Sequence, residues 1–143
     1  MCKNIKTDEL ENQLSDIENF SDYIEKNGEE LISDSKIADY LNSLITETGC
    51  KKSDIIKRTN LNRAYVYQIF EGRKIPSRDK LISIALGMEL DFDQMQKLLK
   101  YAGLRPLYAR DLRDAAIIYS LKNGGGFNQT NCVLFEQGLR PLE

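Results

Sequence analysis

The chain has 143 residues, 41% hydrophobic and 29% charged, with three cysteines, no histidine and a formal net charge of −2, which is enough for one compact domain, or a small domain with an appendage. Without histidine there is no Ser-His-Asp triad, no histidine base and no common mixed zinc site. Cys2, Cys50 and Cys132 are too widely spaced for a metal motif or a disulfide framework, and no apolar run reaches the length of a membrane span.

At the N-terminal end, MCKNIKTDELENQL has no signal-peptide core, so the chain is expected to be cytoplasmic with reduced thiols. Leu10, Leu14, Ile17, Phe20 and Ile24 recur at helical spacing and predict an amphipathic helix over about residues 8–27, stopped at Asn27 and Gly28. Its other face is acidic: residues 1–49 hold 4 basic and 12 acidic side chains, a net of −8. The apolar stripe can pack on its own chain or pair across a dimer, and both readings stay open. Ser35 is expected to cap a helix carrying Ile37, Leu41, Leu44 and Ile45 that ends near Gly49.

The charge then reverses. Residues 50–80 hold 9 basic side chains against 3 acidic, a net of +6, an asymmetry that points to nucleic acid through local field and counterion release. Within this stretch Ser53 is expected to cap the short helix DIIKRT. Asn60, Leu61 and Asn62 form a turn, and Asn62 caps RAYVYQIFEG, which stops at Gly72. Pro76 and Ser77 then open PSRDKLISIALGM. A short helix, a tight turn, a second helix and a glycine stop form the layout of a helix-turn-helix.

Further on, GLRPL occurs at 103–107 and again at 138–142. Aligned without gaps, residues 77–107 and 112–142 share 12 identities in 31 positions, among them Arg78/Arg113, Asp79/Asp114, Phe92/Phe127 and Gln94/Gln129. Each copy predicts a helical hairpin with its loop at 87–91 or 122–126. The glycine of GLRPL ends the second helix, and the proline three residues later keeps it from continuing. Stacking two such hairpins buries what one cannot. The glycine run at 124–126 lacks the lysine and strand of a phosphate loop and reads as a turn. The four Arg and Asp side chains are expected to form ion pairs at the helix starts, worth little if exposed. The 22 Asp and Glu side chains are scattered along helical patterns and read as solvated faces. Neither enzyme chemistry nor a cofactor is expected.

The run KKSDIIKRTNLNRAYVYQIFEGRKIPSRDKLISIALGMEL resembles the lambda-repressor/Cro-type (XRE-like) helix-turn-helix family over about residues 36–90. Its I-x-x-G signature is Ile69 to Gly72, its P-S/T step is Pro76-Ser77, and its L-x-x-I/L-A helix runs from Leu81 to Ile84-Ala85. The chain departs from the family in having Ile56 where a small alanine is frequent, which implies slightly wider helix packing. Lys52 and Arg63 also stand where each helix often begins with glutamine, which leaves base preference open. With the helix-turn-helix domain that the resemblance implies over 31–90, the N-terminal acidic helix over 1–30 and the duplicated hairpin extension over 91–143, read from spacing and repeat, complete an expected all-α fold. The resemblance further implies double-stranded DNA as partner, read in the major groove by Arg63, Ala64, Tyr65, Tyr67 and Gln68. Lys51, Lys52, Ser53, Lys57, Asn62, Arg73 and Lys74 become phosphate contacts.

On this reading the protein is a dimeric transcriptional regulator, and the acidic N-terminal helix can compete with DNA for the basic helix. The alternative keeps the fold as an adaptor, because Tyr and Arg are also what protein interfaces favour. The repeat then serves as scaffold, dimer surface or docking site for a protein partner.

Overall fold

Seven helices account for the regular structure of residues 34–143, which are the residues the computed structural model describes, and no strand occurs among them. The amphipathic helix expected over 8–27, with its dimerisation, packing and autoinhibition readings, lies outside the described residues. Ser33–Glu143 forms one compact unit. Its helices are α1 Asp34–Thr48, α2 Lys52–Arg58, α3 Arg63–Phe70, α4 Arg78–Gly87, α5 Phe92–Tyr101, α6 Leu112–Lys122 and α7 Phe127–Glu136. Among the described residues no helix is long and apolar enough to cross a membrane.

The caps explain most of these boundaries. Asn62 Oδ1 accepts from the Tyr65 amide at 3.3 Å, Ser77 Oγ from the Lys80 amide at 3.3 Å, and Asp91 Oδ1 from the Gln94 amide at 2.8 Å. Two expected caps are displaced. α1 begins at Asp34, which puts Ser35 inside the helix. α2 begins at Lys52, so Ser53 sits in its first turn, and the Asp54 carboxylate reaches back to accept from the Lys51 amide at 3.0 Å. The Asp54 carboxylate lies in the first turn of α2, where the positive end of the helix dipole favours it.

One apolar core runs through the unit, from Ile37, Leu41 and Leu44 of α1 to Leu134 and Leu142 near the C-terminal end. α1 packs on α3, and the Asn42 side chain donates to the Phe70 carbonyl at 2.9 Å, which ties off the C-terminal end of α3. α2 sits close on α4: a Cβ at Gly87 would come 3.0 Å from Ile55 Cγ2. Ile55 is the fully buried residue of α2, whereas Ile56 is only partly buried. Tyr101 of α5 stacks on Tyr40 of α1 with ring centroids 4.5 Å apart.

The two hairpins, α4–α5 and α6–α7, are related by a pseudo-two-fold axis and are not stacked by translation. Arg78 of the first copy donates to both oxygens of Asp114 in the second, at 3.0 and 2.8 Å. Arg113 of the second copy donates to both oxygens of Asp79 in the first, at 2.9 Å each. An exchange in which residue i meets j′ while i′ meets j is the mark of a two-fold interface. Each arginine also grips its own GLRPL segment: Arg78 donates to the carbonyls of Arg105 and Pro106, and Arg113 to those of Arg140 and Pro141.

GLRPL is therefore both a terminator and an acceptor shelf. Gly103 and Gly138 take the left-handed conformation at φ 72° and 68°. Beyond them Leu107 and Leu142 turn back into the core, their amides held by Gln96 and Asn131, each at 2.8 Å. The expected ion pairs at the helix starts are thus partly or wholly buried forks, with the Asp114 carboxylate 1% exposed.

Candidate nucleic-acid interface

The chain between α2 and α3 turns within four residues because Thr59 and Asn62 supply its polar closures. Thr59 Oγ1 donates to the Ile55 carbonyl at 2.8 Å and accepts from the Leu61 amide at 3.3 Å. Leu61 is driven into the core, and Asn62 starts α3. α3 then buries Val66, Ile69 and Phe70 on one side. Its outward side follows from the helical period: Arg63 and Ala64 are exposed, and Tyr67 and Gln68 are half-buried one turn further on.

Four of the five residues expected at base edges, Arg63, Ala64, Tyr67 and Gln68, therefore share one face. Tyr65 does not. It is half-buried on the flank towards α4, where the Ser77 backbone approaches its hydroxyl; burial pushes its phenol above the ordinary value, and that backbone hydrogen bond opposes the shift.

The residues expected at phosphates divide in the same way. Lys51 and Lys57 are exposed on α2 and its start. Lys52 lies with its ammonium 5.1 Å from the centre of the Tyr67 ring and 5.5 Å from that of Phe70. Arg63 approaches the same Tyr67 ring at 5.9 Å. Lys74 is 5.7 Å from the Tyr65 ring, and Lys80 lies at the same distance. Lys80 entered the charge count of the basic stretch, but sequence spacing did not assign it to the site, because only the fold brings the start of α4 beside Tyr65.

Other members of the site are committed elsewhere or only partly open. Arg73 is paired with Glu71. Ser53 is half-buried, and the Asn62 side chain is used as the α3 cap. Two further cations of the basic stretch are tied up as well: Arg58 donates to the Gly87 carbonyl at 3.0 Å and pairs with Glu89, while Arg78 holds Asp114. The remaining six, Lys51, Lys52, Lys57, Arg63, Lys74 and Lys80, form no ion pair with another described residue.

Close to this region the Cys50 thiol is half-buried, and burial raises it above its usual value against the opposing Arg58 charge. Among the described residues no group of three His, Cys, Asp or Glu stands close enough to hold a metal ion. Unpaired cations around a helix with Arg, Tyr and Gln on its outward face are suited to polyanion contact and to hydrogen bonding with base edges. Comparison with protein families, curated proteins and solved structures gives no match.

Proposed function

We propose that the chain is a sequence-specific DNA-binding regulator of the lambda-repressor/Cro type, acting as a dimer on a two-fold-related site. α3 lies in the major groove with Arg63 and Gln68 at base edges, and the lysines around it contact phosphates. Regulation comes from occupancy of the site, with no chemistry on the DNA. The observation that carries this reading is that six cations of residues 50–80, on α2, α3 and the start of α4 or beside them, form no ion pair with another described residue, in a chain whose whole net charge is −2.

Selection of bound duplexes from a randomised pool tests it. Wild-type protein is expected to enrich one motif, and Arg63→Ala to relax a single position of that motif by about tenfold, the value of one bidentate base contact. Enrichment of no motif contradicts the reading.

A second reading, an adaptor for a protein partner, draws on the far end of the molecule. Phe135 on α7 is 83% exposed. Beside it Asn131, Cys132, Glu136 and Pro141 line a groove of about 470 Å³. The equivalents of Cys132 and Phe135 in the first hairpin are Lys97 and Lys100, so the two copies present different surfaces. Failure to bind DNA even at low salt favours this reading.

A further inference from the structure

Tyr65 and Tyr67 are two residues apart on α3, which turns their side chains about 200° apart around the helix axis. Tyr67 lies on the outward face and Tyr65 on the flank towards α4, and each ring has two cations from different places in the chain near it. Tyr67 has Lys52 from α2 at 5.1 Å and Arg63 from the start of α3 at 5.9 Å. Tyr65 has Lys74 from the loop after α3 and Lys80 from α4, both at 5.7 Å. Like charges brought this close repel, and the negative face of an aromatic ring offsets that repulsion while fixing where each cation stands. Neither pair is held by a carboxylate among the described residues.

We infer that the two tyrosines are positioning residues that divide the work of the interface: Tyr67 holds Arg63 for base reading, and Tyr65 holds Lys74 and Lys80 as a clamp on the phosphate backbone. This rests on the DNA-binding reading. It adds Lys80 as a phosphate contact and moves Tyr65 from base reader to support. The exposure pattern agrees: Tyr67 lies on the outward face with Arg63 and Gln68, whereas Tyr65 is half-buried against α4 and its hydroxyl is met by the Ser77 backbone. A flexible ammonium suits a phosphate, while a fixed guanidinium fork suits the O6 and N7 of guanine.

The division is tested on the full chain with duplexes carrying the selected motif and duplexes carrying a scrambled one, across a salt series. Lys80→Ala is expected to lower the slope of log K against log salt by about 0.9, the value of one phosphate contact, with the ratio between the two duplexes unchanged. Tyr67→Leu is expected to reduce that ratio by about tenfold, and Tyr67→Phe, which keeps the ring, to preserve it. Circular dichroism of each variant establishes that it is folded. If Lys80→Ala changes the ratio and leaves the slope alone, or Tyr67→Leu and Tyr67→Phe lose the ratio equally, the division of labour is wrong while DNA binding stands. Absence of salt-dependent binding by the wild type removes the functional reading, and this inference with it.

Discussion

Among single residues, the Arg78 and Arg113 forks are chemically equivalent but energetically unequal. Asp114 is 1% exposed and also accepts from the Tyr108 amide at 3.0 Å, whereas the Asp79 side chain is 21% exposed. Removing Arg78 leaves a carboxylate buried with few donors, and breaking such a pair costs about 3 kcal/mol. Removing Arg113 leaves Asp79 able to hydrate, at a cost of about 1 kcal/mol. Urea unfolding of Arg78→Ala and Arg113→Ala, with unchanged m-values, should therefore show a difference of about 2 kcal/mol. Equal costs would mean that Arg105, which reaches Asp114 at 3.5 Å, compensates for the loss of Arg78. The sequence alone showed that the Arg-Asp step is repeated. It did not show which Asp each Arg meets, because identity between two copies carries no information about the operation relating them.

The individual helices read well wherever a cap residue had no competitor. Asn62 and Ser77 stand as caps, and the glycines of the two GLRPL segments end α5 and α7. Ser53 is not a cap because α2 already starts at Lys52, with Lys51 before it and the Asp54 carboxylate on the Lys51 amide. The repeat also exposes a local mismatch. At equivalent places after α4 and α6, Glu89 and Gly124 both take positive φ, 59° and 77°. A side chain in that conformation costs about 1 kcal/mol, and glycine avoids the cost. Glu89→Gly also removes the exposed Arg58–Glu89 pair, worth a few tenths of a kcal/mol. Glycine also adds about 0.5 kcal/mol of unfolded-chain entropy, so the terms nearly cancel and the urea midpoint is expected to stay unchanged. A lower midpoint would assign Glu89 a larger role in holding Arg58 than its exposure suggests.

Across the described residues, the pseudo-two-fold pair of hairpins shares one core with the three helices α1, α2 and α3. α4 joins the two: its Ile82 and Leu86 enter the common core, its Gly87 admits α2, and its first residue anchors the second hairpin. The all-helical class, the repeat and the basic stretch were legible in the sequence because periodicity, identity and charge are local properties. The spacing on α3 carried the shared face of Arg63, Ala64, Tyr67 and Gln68, but it could not reveal the flank position of Tyr65, the capture of Arg73 by Glu71 or the arrival of Lys80. The positions of Tyr65 and Lys80 depend on where α4 lies against α3, and the Arg73–Glu71 pair depends on the turn that ends α3.

The proposed function requires that the cations near α3 that form no ion pair with another described residue bind duplex DNA. Its most direct test is the affinity of the full chain for duplex DNA across a salt series, with wild type beside a variant in which Lys51, Lys57 and Lys74 are all alanine. The account predicts a steep negative dependence for the wild type and a slope shallower by about 2.7 for the variant, at about 0.9 per phosphate contact. Wild-type binding that ignores salt, or a slope unchanged in the variant, would contradict it.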